Sequence, residues 1–204
     1  AWIVEANKQF IIIGNINCVT YKEVFPLLRD NKVWMGCTIH SGDREFGVPD
    51  EYPLEAAGCR IDENGKKYIR VKGVRWYTNI DHGRRHNPLS LMSMADNIKY
   101  SKHKDIQGKK YQHYDNYDAI EIPYTDAIPC DYENLMGVPV TFLDKYCPEQ
   151  FDIIWQACGN TRASAPKEIL DEVGYTIHPE DRGGCGVVNN KRQYARILIR
   201  KKHL

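Results

Sequence analysis

The segment Gly14-Asn15-Ile16-Asn17 has the residue types of a ligand-binding turn. It follows an apolar, β-branched run at residues 10–13, which predicts a parallel strand buried on both faces. Open α/β sheets bind ligands just beyond the carboxyl ends of their strands. Glycine lets a ligand approach the backbone, and asparagine offers both a donor and an acceptor. Gly14, Asn15 and Asn17 are therefore candidate pocket residues, although the pattern alone fits a plain strand-to-helix turn better.

A second set of polar residues lies on and after the alternating segment 74–80, which predicts a strand with one apolar and one polar face. Arginine forks suit phosphates and guanine edges, and asparagine suits adenine, so this face and the basic loop after it could bind nucleic acid. A solvated basic turn fits the loop equally well. The candidate DNA-binding residues are Arg75, Tyr77, Asn79, His82, Arg84 and Arg85, together with Lys191 and Arg192 near the carboxyl end.

Charge is segregated along the chain, although the formal net charge is only +1. Residues 99–114 contain five lysines and two histidines against one acid, and residues 115–133 contain six acids and no lysine or arginine. No acid follows Asp181, where basic residues crowd the tail. Tyrosines in the basic stretches, including Tyr194, fit phosphate binding combined with base stacking, but lysine-rich loops also serve solubility.

Several classes of protein find no support in the sequence. No apolar run approaches the roughly 18 residues of a membrane span, and the start lacks a secretory signal. The seven cysteines are scattered, without CxxC pairs or metal-ligand spacing, which predicts reduced thiols, no metal site and a soluble cytoplasmic protein. No serine lies in a GxSxG elbow, and the glycine-rich segment at Gly183 lacks the flanking elements of a phosphate loop, so we interpret it as a hinge.

The elements around these residues predict an α/β fold. A capping box at residues 20–23 predicts a helix that begins at Thr20. Pro26 conflicts with that start, so the helix is either kinked there or begins later. A strand at residues 32–36 would complete a strand-helix-strand unit, and turn-forming residues predict a loop at 43–53.

The second half of the pattern is a series of short elements. Asn64-Gly65 predicts a tight hairpin whose arms are residues 59–61 and 67–71. Further predictions are a strand at residues 151–155, a helix at 164–173 and a closing hairpin over 187–200. Trp2, Ile3 and Ala6 give the apolar face of a helix without a capping residue, from which we expect the chain to be a fragment of a longer protein.

Four segments, in order, resemble the EcoRI-type adenine-specific DNA methyltransferase family. They are FIIIGNINCVTYKEVFPLLRDNKVWMG (10–36), VRWYTNIDHGRRH (74–86), YDNYDAIEI (114–122) and MGVPVTFLDKYCPEQFDII (136–154). The final YARILIRKK is similar to the family's closing strand. These matches extend over most of the chain, and the longer ones are specific.

The resemblance implies transfer of a methyl group from S-adenosylmethionine to N6 of an adenine in a short double-stranded DNA site, as part of a restriction-modification system. The adenine would leave the helix and enter a pocket beside the cofactor. The Asn-Pro-Pro-Phe type motif of such enzymes is absent, since Asn87-Pro88-Leu89 has the wrong residues. The resemblance therefore implies no catalytic residue in this chain, a motif upstream of Ala1, and no activity by the chain alone.

The implied fold is the later strands and helices of a Rossmann-like methyltransferase sheet in residues 1–100, with an appended mixed α+β DNA-recognition region in residues 101–204. Gly14, Asn15 and Asn17 would form part of the wall of the cofactor and target-base pocket. The implied partners are double-stranded DNA and a missing amino-terminal part of the same enzyme, with no membrane. The alternative is a non-catalytic DNA-binding or regulatory module descended from such an enzyme.

Overall fold

The computed structural model describes residues 2–38, 43–53 and 55–202. The strands are β1 (Ile11–Asn15), β2 (Trp34–Met35), β3 (Arg44–Val48), β4 (Cys59–Ile61), β5 (Lys67–Val71), β6 (Val74–Thr78), β7 (Ala119–Glu121), β8 (Leu135–Pro139), β9 (Phe151–Ala157), β10 (Val187–Val188), β11 (Lys191–Arg192) and β12 (Arg196–Lys201). The α-helices are α1 (Trp2–Glu5), α2 (Phe25–Arg29), α3 (Met94–Tyr100), α4 (Thr161–Ser164) and α5 (Lys167–Glu172). Shorter 3-10 helices occupy Ile16–Thr20, Gly83–His86, Thr125–Ala127 and Val140–Lys145. None of the helices in these ranges has the length and apolar character needed to cross a bilayer.

The first sheet has the order β1-β6-β2, with β6 antiparallel to both neighbours. β1 and β2 therefore run parallel to each other, and α2 connects them, which confirms the predicted strand-helix-strand unit. The prediction of a buried parallel strand at residues 10–13 is wrong. Ile11, Ile12 and Ile13 are 60%, 42% and 46% exposed, because β1 pairs only with β6 within the described residues.

α2 begins later than the capping box predicts, which confirms the second of the two alternatives. The hydroxyl of Thr20 donates to the carbonyl oxygen of Asn17 at 2.9 Å and closes a 3-10 turn instead of capping α2. Pro26 lies in the first turn of α2, where a missing N–H is tolerated. The helix then buries Phe25 edge-to-face against Trp155 of β9, with ring centroids 5.3 Å apart.

The second sheet has the order β7-β8-β12-β9. β12 is antiparallel to both β8 and β9, and β7 is parallel to β8. The strand at residues 151–155 is confirmed as β9, whereas β7 and β8 were not predicted. The larger hydrophobic core draws residues from both sides of residue 100, including Phe25, Tyr77, Phe142 and Ile197. The division into two domains at residue 100 stays a prediction.

A three-stranded antiparallel sheet of order β3-β5-β4 forms an arm between β2 and β6. The Asn64-Gly65 hairpin is confirmed, and Gly65 has the positive φ of 80° that its turn requires. The prediction of a loop over all of residues 43–53 is wrong, because after Asp43 only the segment from Pro49 onward is without strand structure. The residues before Pro49 form β3, where Phe46 lies opposite Ile69.

The carboxyl-terminal elements are partly as predicted. The predicted helix at residues 164–173 is confirmed as α5, which begins directly after Pro166, and the separate helix α4 precedes it. The predicted closing hairpin over 187–200 is wrong in its second arm, because β10 pairs with β11 while β12 pairs with β8 and β9. In the turn between β10 and β11, Asn189 and Asn190 have φ values of 50° and 59°. The predicted hinge packs closely, since a Cβ on Gly183 would meet the turn after β9.

Candidate functional site

The 3-10 helix Val140–Lys145 follows β8 directly and contacts both β2 and the 3-10 helix Ile16–Thr20, which follows β1. Asp144 of this helix accepts two hydrogen bonds from Arg75 of β6, from Nε at 2.8 Å and from Nη2 at 2.9 Å. Both side chains are only 5% exposed. A bidentate pair of this kind fixes geometry, and removal of either partner leaves an uncompensated buried charge. Arg75 therefore joins the two sheets at the level of the candidate pocket.

Contacts within the protein shape the end of β1. The amide of Asn15 is engaged on both sides, since Oδ1 accepts from the backbone N–H of Asn17 at 2.9 Å and Nδ2 donates to the carbonyl of Lys72 at 2.8 Å. The side chain of Asn17 is exposed. Of the three predicted pocket residues, Asn17 is the one whose amide the described contacts leave open to a ligand.

Tyr77 lies directly beneath this turn. Its hydroxyl donates to the carbonyl oxygen of Asn15 at 2.7 Å, and its ring occupies the place where a Cβ on Gly14 would lie, 2.9 Å from Cε2. Burial raises the pKa of Tyr77 far above its ordinary value, so the hydroxyl remains a neutral donor. The packing of Tyr77 thus accounts for the glycine at position 14.

Asn79 is the third polar residue of the predicted DNA-binding face. Its Oδ1 accepts from the backbone N–H of Phe10 at 2.9 Å, and its Nδ2 donates to the carbonyl of Lys8 at 2.9 Å. Both bonds fasten the chain before β1 to the end of β6. Together with the buried Arg75 and Tyr77, Asn79 therefore faces other parts of the protein, and the expected polar face is closed by intramolecular contacts.

In the basic loop after β6, some side chains contact the rest of the protein and one is exposed to solvent. His82 Nε2 lies 2.9 Å from the carbonyl oxygen of Met35. The guanidinium of Arg85 stacks on Trp34 at 3.8 Å from the ring centroid and donates to Asn31 Oδ1 at 3.0 Å. These two side chains hold β2, and Arg84 is the exposed cation of the predicted set in this loop.

His86 ends this loop between two carboxylates. Its Nε2 lies 2.9 Å from Asp81 Oδ1, and its Nδ1 lies 2.8 Å from Glu149 Oε1. Hydrogen bonds with Asp81 and then Glu149 raise the pKa of His86 above its ordinary value. The two carboxylates therefore stabilise the imidazolium form, and His86 ties the loop to the segment before β9.

Lys191 and Arg192 lie elsewhere, on the exposed strand β11. The β10-β11 turn is anchored because Asn190 donates its backbone N–H to Asp115 Oδ2 at 2.7 Å. Tyr194 follows directly and is 89% exposed. The hairpin is thus a fixed support that presents two cations and one aromatic ring to solvent.

A protein-family model described as "Adenine-specific methyltransferase EcoRI" matches residues 1–202. The chain belongs to this family. The Type II methyltransferase M.EcoRI of Escherichia coli is 39% identical over 202 residues, which are 99% of this chain and 53% of that protein. M.MgeORF184P of Mycoplasma genitalium is 32% identical over 99% of this chain and 60% of its own length.

A third relative, the Type II methyltransferase M.MpnI of Mycoplasma pneumoniae, is 27% identical over 98% of this chain and 59% of its own length. The chain therefore spans between half and two thirds of the EcoRI-type relatives that it matches. No solved structure matches it significantly.

Two residues near this site, Asp144 and Lys145, were missed as candidates from the sequence. They belong to the segment MGVPVTFLDKY, which contributed to the resemblance but has no motif for buried charge or for DNA. Within the described ranges, no group of three or more His, Cys, Asp or Glu side chains is arranged to hold a metal ion.

Proposed function

We propose that this chain is part of an enzyme that transfers a methyl group from S-adenosylmethionine to N6 of adenine in a short double-stranded DNA site. In this proposal the enzyme belongs to a restriction-modification system and acts in the cytoplasm, where the thiols of its seven cysteines stay reduced. The chain supplies the later strands of a Rossmann-like sheet and a DNA-binding surface. By itself it is inactive. Family membership supports the reaction type.

The observation that carries the proposal is the open side of the first sheet. Among the described residues β1 pairs with β6 only, and three successive isoleucines on it are exposed. A groove of about 280 Å³ lies on one side, lined by Ile12, Tyr77 and Leu27 among others, and one of about 330 Å³ on the other, lined by Ile11 and Trp76. Full burial of one isoleucine is worth roughly 1.5–3 kcal/mol, and a free strand edge is a template for pairing.

We assign this open side to the portion of the enzyme that the EcoRI-type relatives have and this chain does not cover. A strand of that portion would pair along the free edge of β1, and helices would fill the two grooves. Parallel β1 and β2 around a reversed β6 are compatible with the later part of a larger α/β sheet. The Asn-Pro-Pro-Phe type motif would lie in the same missing portion.

The residues at the end of β1 do not by themselves form a site for the methyl donor. S-adenosylmethionine supplies an electrophilic methyl group when it is bound. The ring of Tyr77 fills the space beside Gly14, and the side-chain amide of Asn15 is already hydrogen-bonded within the protein. Asn17 is therefore the residue of the three that can face a ligand. Gly14, Asn15 and Asn17 would thus form only one wall of the pocket, with Gly14 and Asn15 shaping it and Asn17 contacting the bound molecule.

The DNA-binding role is proposed for the exposed cations Arg84, Lys191 and Arg192. Phosphate contacts by such side chains provide affinity and register on the duplex. Tyr194 adds a ring on which a base can stack. Arg75, Tyr77, Asn79, His82 and Arg85 would act by positioning, since their side chains are engaged within the protein.

The test is a methyl-transfer assay with labelled S-adenosylmethionine on two proteins. One is the 204-residue chain, and the other is the same chain joined to the part of the Escherichia coli relative that it does not cover. We expect label in N6-methyladenine, identified by mass spectrometry of digested duplex, for the chimera alone. Label in cytosine, or transfer by the chain alone, would contradict the proposal. A chimera that folds and binds DNA without transfer would favour the non-catalytic module.

A further inference from the structure

We propose that a groove between the loop after β6 and the 3-10 helix Thr125–Ala127 binds consecutive phosphates of the DNA backbone, with Arg84 and Lys145 as its two cations. The inference rests on the DNA-binding role proposed above and assigns it a defined surface. The groove has a volume of about 270 Å³. Its lining combines cations, an amide, hydroxyls and apolar groups, namely Arg84, Asn87, Pro88, Leu89, Ser90, Leu91, Thr125, Asp126 and Lys145.

The two cations line the same groove and lack a carboxylate partner among the described residues. Arg84 donates from Nη1 to the carbonyl oxygen of Cys37 at 2.9 Å and leaves its other N–H groups available. Lys145 makes no ion pair with the described carboxylates. Both side chains also line a small cavity of about 20 Å³, which places them on the same side of the site.

Asp126 is the one acid among the described residues of the groove, and its charge is already neutralised. Asp126 accepts from Lys102 Nζ at 2.7 Å and from His103 Nε2 at 2.8 Å. Burial would raise the pKa of Asp126, but these two hydrogen bonds outweigh it, so that the pKa is lowered and the carboxylate stays ionised within its own pair. The charge left to attract an anion is therefore that of Arg84 and Lys145. This also gives the basic stretch 99–114 a role in the site, because it supplies Lys102 and His103.

The wall of the groove is fixed before any ligand arrives. The backbone of Leu89 is held at both groups by Gln150, whose Oε1 accepts from the N–H at 2.7 Å and whose Nε2 donates to the carbonyl at 2.9 Å. Asn87, Ser90 and Thr125 add neutral donors, and Pro88 offers an apolar surface to a sugar. A set of fixed donors beside two cations without carboxylate partners can bind several successive phosphates of a DNA backbone. A single amide or hydroxyl could not do so.

The test is fluorescence anisotropy of the 204-residue chain with a labelled duplex across a salt series. Arg84→Ala and Lys145→Ala should each weaken binding about threefold to tenfold and lower the slope of log K against log salt by about one. The losses should be the same on duplexes of different sequence. Lys167→Ala removes an exposed lysine at the start of α5 and is the matched control, with affinity and slope unchanged.

Thermal unfolding checks that both variants are folded, which we expect because neither side chain is buried. Lys145→Arg should retain the slope. If the chain binds duplex and neither alanine variant weakens it, the groove is wrong while the proposed function stands. If the chimera fails to methylate although these variants behave as expected, the proposed function fails and the groove stands.

No duplex binding at low salt would overturn the groove as a DNA site. Calorimetric titration of the chain with inorganic phosphate at constant ionic strength tests whether the groove binds free phosphate instead of DNA. We expect no saturable heat of phosphate binding. Saturable phosphate binding that does not compete with duplex would overturn the assignment to the DNA backbone.

Discussion

The hydroxyl of Tyr77 donates a hydrogen bond of 2.7 Å to the backbone carbonyl oxygen of Asn15, across the end of β1. The same tyrosine fills the space beside Gly14. The conformation of the candidate pocket wall is therefore set from within the protein, by a buried residue of the neighbouring strand β6.

This packing predicts the effect of two substitutions on stability. Tyr77→Phe removes the donor and should lower the free energy of unfolding by about 1 kcal/mol. Gly14→Ala should lower it by about 1–3 kcal/mol, because the added Cβ would lie 2.9 Å from the ring. Urea denaturation measures both. Gly47→Ala in β3 is the control, since its Cβ would meet nothing within 4 Å. A Gly14→Ala variant as stable as the parent would show that the glycine serves a ligand instead.

The buried pair of Arg75 and Asp144 should behave as a structural unit. Arg75→Met or Asp144→Ala should each destabilise the fold by roughly 3–5 kcal/mol, because each leaves one buried charge uncompensated. At a temperature where Arg75→Met is folded, we expect its salt slope for DNA binding to equal that of the parent. If the slope of log K against log salt falls by about one in this variant, Arg75 contacts DNA after all.

Asp181 predicts a loss of stability in acid. Burial would raise its pKa, but hydrogen bonds from Tyr175, Gly183, His178 and Arg162 outweigh burial and lower it to about 2. Because the folded-state pKa lies below the ordinary 3.8, this stabilisation is complete above about pH 4 and disappears as the pH falls towards 2.

The shift corresponds to about 2 kcal/mol, since the carboxylate is almost completely buried. Asp181→Asn should therefore lower stability at pH 7 and flatten its decline between pH 4 and pH 2. Denaturant unfolding at a series of pH values measures this, with the exposed Asp171→Asn as control. An unchanged pH profile in Asp181→Asn would refute the assignment.

The exposed isoleucines of β1 predict different outcomes in the chain and in the chimera. Ile11→Lys should change the stability of the 204-residue chain by less than about 0.5 kcal/mol, because the side chain is 60% exposed. In the chimera the same charge would be buried under the helix that fills this groove and should abolish methyl transfer. Ile177→Lys, at a 73% exposed isoleucine outside this sheet, is the control and should retain activity. Equal activity of both variants would contradict docking along β1.

Local signals predicted local structure well. The Asn64-Gly65 hairpin and β9 follow from turn chemistry and apolar runs, which act over a few residues. The partners of β1 could not be predicted in this way, because a buried strand and an exposed edge strand awaiting a partner have the same composition. β7 was missed because its three residues give no periodic pattern.

The candidate site depended on contacts between distant positions. Arg75 and Tyr77 have the residue types of a DNA-binding face, but Asp144 lies 69 positions away from Arg75 and removes it from the surface. Lys145 had no signal of its own, since a single lysine after an aspartate is common. Arg84 was identified because its loop is basic in sequence and remains exposed in the fold.

The arm formed by β3, β5 and β4 contributes no side chain to either hydrophobic core of the described residues. Its ladder hydrogen bonds can therefore open without exposing those cores, so the arm forms a separate cooperative unit of low stability. Amide protons of Phe46 and Ile69 should exchange with solvent at a rate that global destabilisation leaves nearly unchanged. A protease nick near Gly65 should leave two fragments that remain associated.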